Sequence, residues 1–133
     1  MGPAWTGDTA LPDGAMQGTD FDAFLAGLTR QKPFLPPATA RRLARAYGTR
    51  VHALLGNATA LADLGETFEG GLTAAEVDCL RRYEWALSAD DILWRRSKLG
   101  LHTTPDGVRR LEAYLARVVE AACRLVRRAS RRR

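Results

Sequence analysis

The side chains best suited to metal ligation, nucleophilic attack or proton transfer are His52, His102, Cys79 and Cys123. Each stands alone on its segment. A metal or acid–base centre needs several convergent groups at fixed spacing, and none of the four lies in a Cys-x-x-Cys or Cys/His pattern. The histidines therefore read as surface or core fillers. The cysteines read as small core or half-buried thiols of a reducing compartment. No glycine-rich phosphate loop, no G-x-G-x-x-G and no H-E-x-x-H is present. The expectation is a chain with no catalytic, cofactor-binding or metal-binding residue of its own.

The charges are more informative. In ADDILWRRSKLG (Ala89–Gly100), a 100° helical projection puts Ala89, Ile92, Leu93 and Leu99 on one face with Arg96 among them, and leaves Trp94 on the polar side. One segment earlier, Glu84 falls on the stripe of Val77 and Leu80. Two inward-facing opposite charges on consecutive helices predict a buried Glu84–Arg96 ion pair, since a carboxylate offsets much of the desolvation of a buried guanidinium. The alternative is that Arg96 extends its head to water along an apolar stem. Trp94 either lies under another segment of the chain or anchors a partner, as aromatics do at interface centres.

A third pattern is basic. From residue 109 to 133 the sequence holds nine arginines against two glutamates. Arg110, Arg117 and Arg124 recur every seven residues on the side opposite an apolar stripe (Val108, Leu111, Leu115, Val118, Val119, Ala122, Leu125, Val126). With Trp94, these three arginines are the candidate interface residues. The stripe itself is expected to be consumed in packing. The arginines could meet anionic headgroups by a salt-sensitive contact. Three scattered tryptophans form no stacking platform, so nucleic acid is not an expected partner.

The elements that would position these residues are helical. Asp20 or Thr19 caps a helix through Phe21, Phe24, Leu25 and Leu28, ended by Lys32-Pro33. PATARRLARAYG starts on Pro37 and stops at Gly48. Thr49 is placed to cap RVHALLG, NATALADLGETFEGG reads as mainly loop, and Thr73 with Glu76 forms a capping-box register before the next helix. Ser88 caps the helix of ADDILWRRSKLG, and Thr104-Pro105 introduces a last helix of about six turns. No alternating run is long enough for a strand. The class is all-α, a compact orthogonal bundle of about five to six helices ending in a long amphipathic one.

At 133 residues, 46% hydrophobic and 26% charged, with a net charge of +5, the composition is that of one globular domain. No apolar stretch is long enough to cross a bilayer, and no export signal is evident. Residues 1–18 are rich in Gly, Pro, Asp and Thr and read as a linker, leaving 19–133 as the helical domain.

TGDTALPDG (Thr6–Gly14), LARAYGTRVHALL (Leu43–Leu55) and GGLTAAEVDCLRRYEWALSADDILWRRSKLGL (Gly70–Leu101) together resemble the C-terminal, cap-like portion of aerobic FAD-dependent glycerol-3-phosphate dehydrogenases. The resemblance implies an oxidoreductase parent whose larger N-terminal portion binds FAD and oxidises sn-glycerol 3-phosphate to dihydroxyacetone phosphate, passing electrons to quinone. It further implies that residues 1–18 arrive from a missing catalytic domain, which would be the main partner, with a homo-oligomer or a peripheral anionic membrane contact as others. The parent would be cytoplasmic and peripheral to the cytoplasmic face of the inner membrane. The family's flavin fingerprint has no counterpart here, so the fragment alone is expected to be inactive. The competing reading is a free-standing basic helical module for nucleic acid or an anionic surface.

Overall fold

The computed structural model describes residues 20–130, and side-chain surroundings for residues 20–124. The expected linker, 1–18, and Thr19 lie outside the described residues, as do the surroundings of Leu125 and Val126. Five α-helices follow in order: α1 (Phe21–Gln31), α2 (Pro37–Tyr47), α3 (Val51–Leu55), α4 (Ala74–Glu84) and α5 (Pro105–Ser130). Short 3-10 turns join them, and a π-helical turn (Asp91–Arg96) falls between α4 and α5. The only extended pairing among the described residues is a single bridge between Thr67 and Thr73. The all-α class and the long last helix are as expected. The chain divides into two compact units at Gly65/Glu66.

In the first unit Asp20 starts α1, its Oδ1 accepting from the amides of Asp22 at 3.0 Å and Ala23 at 3.2 Å. α1 packs on α2, and α2 on α3. Leu28, Leu35, Ala40, Leu43, Ala44, Tyr47, Val51 and Leu55 are buried. α2 and α3 both stop at glycines, Gly48 (φ 49°, ψ −133°) and Gly56 (φ 48°, ψ −133°), a conformation that a Cβ would oppose. Lys32 then ties two segments together by donating from Nζ to the carbonyls of Gly56 (2.7 Å) and Ala58 (2.8 Å). Thr49 does not cap α3. A 3-10 turn over Gly48–Arg50 leads into the helix, whose N-cap position is Arg50 with no side-chain cap hydrogen bond.

In the second unit the segment 66–73 folds back on itself, with the Phe68 amide donating to the Leu72 carbonyl (2.7 Å) and Ala74 to Glu66 (2.8 Å). Thr73 caps α4, its Oγ1 accepting from the Glu76 amide at 3.4 Å. The π-helical turn is started by Ser88, whose Oγ accepts from the Asp91 amide (3.1 Å) while the Asp91 carboxylate accepts from the amides of Leu87 and Ser88 (3.1 Å each). Cys79 is half-buried as expected, but Cys123 is exposed rather than in the core or half-buried. The stripe on α5 is only partly consumed. Leu111 and Leu115 are buried and Val108 and Val118 half-buried, but Val119 and Ala122 are exposed, because the other described elements of the unit do not cover the helix beyond its fourth turn.

Candidate functional site

The sequence pointed to two candidate regions, both in the second unit. The first is the π-helical turn. A π turn closes hydrogen bonds from residue i to i+5, and here the amide of Ser97 donates to the Ile92 carbonyl at 2.9 Å, with the Ser97 hydroxyl joining it at 2.7 Å. A regular 100° projection does not hold through such a turn, and the helix ends before Leu99. Arg96 is consequently not enclosed by the apolar arc. Its Nε lies 4.0 Å from Glu84 Oε2, with the two side chains 43% and 28% exposed. The structure brings the two residues together but does not bury them, so the predicted buried pair is a surface contact. Exposed pairs of this kind contribute little. The fully buried carboxylate of α4 is instead Glu76.

Trp94 is 46% exposed. One face of its indole lies against Gly100, where an added Cβ would fall 2.5 Å from a ring carbon. Any side chain at position 100 must displace the ring. Gly100 therefore holds Trp94 from within its own segment, a contact that periodicity could not reveal because the chain turns between them.

The second region is the arginine row. Arg110 and Arg117 each donate to Glu66, to Oε1 and Oε2 respectively, both at 3.0 Å. The hydrogen bond from Arg110, and then that from Arg117, holds the Glu66 carboxyl below its ordinary value against opposing desolvation. Arg110 also sits over the Phe68 ring, 5.9 Å from its centroid, and Arg117 over Tyr114 at the same distance. Arg124 pairs with Glu120 on its own helix. The three candidate interface arginines are thus exposed but already partnered.

Sequence reading missed the group that fixes the start of α5. Glu69 Oε2 accepts from the Thr104 amide (2.6 Å) and its Oε1 from the Thr104 hydroxyl (2.8 Å), while Thr104 Oγ1 accepts from the Gly107 amide (3.2 Å). These hydrogen bonds lower the Glu69 carboxyl from its usual value. A Cβ on Gly107 would meet that carboxylate at 2.6 Å, so the glycine leaves room for it. Close by, Tyr114 donates to Asp78 at 3.1 Å, and burial first, then the Asp78 charge, pushes its phenol up to about 12. The signal for Glu69 was weak, since a carboxylate capping from 35 residues away leaves no local pattern.

The end of α4 differs in kind. The amides of Trp85 and Ala86 both donate to the Leu80 carbonyl, and Trp85 takes the left-handed conformation (φ 55°, ψ 34°). Glycine usually occupies such a position, and an L-residue there costs roughly 1–2 kcal/mol. Ala86 is fully buried, whereas Trp85 is 83% exposed.

The starts of α1, the π-helical turn and α5 carry the carboxylates of Asp20, Asp91 and Glu69. A helix N-terminus attracts phosphate through its amides and its dipole; the Asp20 carboxylate takes two such amides of α1, and at the other two starts a carboxylate held by the amides just before the helix places like charge there. Among the described residues there is no strand–glycine loop–helix unit of the kind that cradles a dinucleotide. No described group of three or more His, Cys, Asp or Glu residues could hold a metal. His52 makes an edge contact with Phe24, with ring centroids 5.9 Å apart. No described helix is long and apolar enough to cross a membrane.

Fold and side chains therefore define a helical module built on internally satisfied polar contacts, with no assembled reaction centre among the described residues. The family described as the C-terminal domain of alpha-glycerophosphate oxidase matches residues 10–127, and the chain belongs to it. It is 49% identical over 115 residues to a glycerol-3-phosphate dehydrogenase of Pseudomonas aeruginosa, covering 86% of this chain and 22% of that one. With the aerobic glycerol-3-phosphate dehydrogenase of Escherichia coli it shares 44% over 115 residues, 86% of this chain and 23% of the relative. With a D-erythritol 1-phosphate dehydrogenase of Brucella abortus it shares 38% over 104 residues, 78% and 21%. The chain thus spans between a fifth and a quarter of the length of these curated relatives.

Proposed function

We propose that this chain is the non-catalytic C-terminal domain of an FAD-dependent glycerol-3-phosphate dehydrogenase, where it braces or covers the catalytic portion of the same chain. The parent would oxidise sn-glycerol 3-phosphate to dihydroxyacetone phosphate and pass electrons to quinone, as a peripheral protein on the cytoplasmic face of the inner membrane. The observation that carries this reading is the match over residues 10–127 to a C-terminal domain family, together with relatives of which the match spans less than a quarter. The residues agree with it. The carboxylates of Asp20, Asp91 and Glu69 at three helix starts oppose a flavin pyrophosphate or a substrate phosphate there.

A relative named for a different phosphorylated polyol carries the same domain, which supports locating substrate choice outside it. The basic-module alternative loses support because Arg110 and Arg117 are engaged by Glu66 and Arg124 by Glu120. The test is expression of the gene with its upstream reading frame. The full-length product should bind flavin and reduce a dye with glycerol 3-phosphate, and the 133-residue chain should do neither. Dye reduction by the 133-residue chain alone, or a full-length product without flavin, would overturn the assignment.

A further inference from the structure

Resting on that reading, we infer that the turn Tyr83–Leu87 is the surface by which this domain docks on the preceding, catalytic portion of its own chain. Three of five consecutive residues there are large, apolar and open to solvent: Tyr83 is 63% exposed, Trp85 83% and Leu87 80%. Isolated apolar side chains on a surface are ordinary, but three of them within one five-residue turn are not. The indole of Trp85 also stands on a left-handed backbone position that glycine would fill without strain. Nothing inside the unit compensates, since Trp85 makes no described ring or polar side-chain contact, and strain of this kind marks functional positions.

The turn is nonetheless held in place. The Asp91 carboxylate grips the amides of Leu87 and Ser88, Glu84 reaches Arg96, and Ala86 is buried beneath. A rigid aromatic presented from a fixed turn is what an interface anchor requires.

The occupant follows from size and from chain length. Three side chains of this kind expose on the order of 400–500 Å², well short of the roughly 800 Å² per partner in a stable association between separate molecules. A patch that small suffices when a tether supplies a high effective concentration. The curated relatives have more than three quarters of their length outside the matched domain, which the family description places at the C-terminal end. The catalytic portion of the same chain is therefore the partner the patch fits.

The experiment uses the full-length enzyme with Trp85 replaced by p-benzoylphenylalanine, and in a second variant Leu87, each checked for flavin content before irradiation. The expected photoproducts are intrachain cross-links to peptides upstream of residue 1. Products of twice the chain mass, lipid adducts, or cross-links confined to residues 20–130 in a flavin-loaded enzyme would overturn the docking surface while leaving the enzyme assignment intact. A gene product without an upstream flavin portion would overturn both. In the same enzyme, Trp85→Gly relieves the backbone, so a merely structural tryptophan predicts unchanged or slower proteolytic release of the domain. Docking predicts release about tenfold faster.

Discussion

The start of α5 and the end of α4 belong to the same unit and treat their special positions in opposite ways. At the start of α5 the tight position is a glycine, Gly107, and the room it leaves is filled by the Glu69 carboxylate, which satisfies Thr104. At the end of α4 the glycine-favouring position holds a tryptophan whose ring meets solvent. The first arrangement is closed within the unit; the second is open. Where a fold meets its backbone demands by cheap local means in one place and not in another, the exception points to a need outside the fold.

Substitutions can sharpen that contrast. The largest effect is expected at the closed end. Leu111→Ala empties a buried position on α5 and should destabilise the chain by about 3 kcal/mol in urea unfolding. Thr104→Ala removes the cap and should cost about 1 kcal/mol in the same measurement. At the open end, Trp85→Gly should leave the stability of the 133-residue chain unchanged or raise it by up to about 1 kcal/mol, since it removes strain and no described contact. A loss comparable to Leu111→Ala would show that Trp85 is a core residue in disguise and erase the contrast.

The smallest effects concern pH. The carboxyls of Glu66 and Glu69 are lowered in the fold by their hydrogen-bond donors, so their contribution is present above the unfolded value and disappears as pH falls through the folded one. The thermal midpoint should be flat above about pH 5 and fall below it, and Glu69→Gln should shrink that fall. Tyr114 has the opposite sense. Its phenol is raised from 10 to about 12, so its contribution holds below pH 10 and is lost as pH climbs through 12. Absorbance titration near 295 nm should show a late-ionising tyrosine that Tyr114→Phe removes.

Much of the helical order was legible because it is local. Asp20, Thr73 and Ser88 cap the helices they precede, and Gly48 and Gly56 end theirs. The contacts that were not legible span many residues or depend on a broken period. Glu69 reaches Thr104 and Glu66 reaches Arg117 across loops whose path no periodicity records. The π-helical turn undid the projection that placed Arg96 inside. The stripe of α5 was visible, but which part of it finds cover is decided by neighbours and not by the helix. Trp85 was in plain view and carried no pattern, because an aromatic at a left-handed position is legible only as a backbone angle.

The carboxylates at the helix starts have a consequence for any enzyme that acts on a phosphorylated polyol. A domain tethered beside a catalytic centre sits at high effective concentration, and an open helix N-terminus on it would be a decoy for the substrate's phosphate. Asp20, Asp91 and Glu69 repel such an anion from the three starts they occupy. On the proposed reading, those three starts can stand next to the chemistry without competing for what the chemistry consumes.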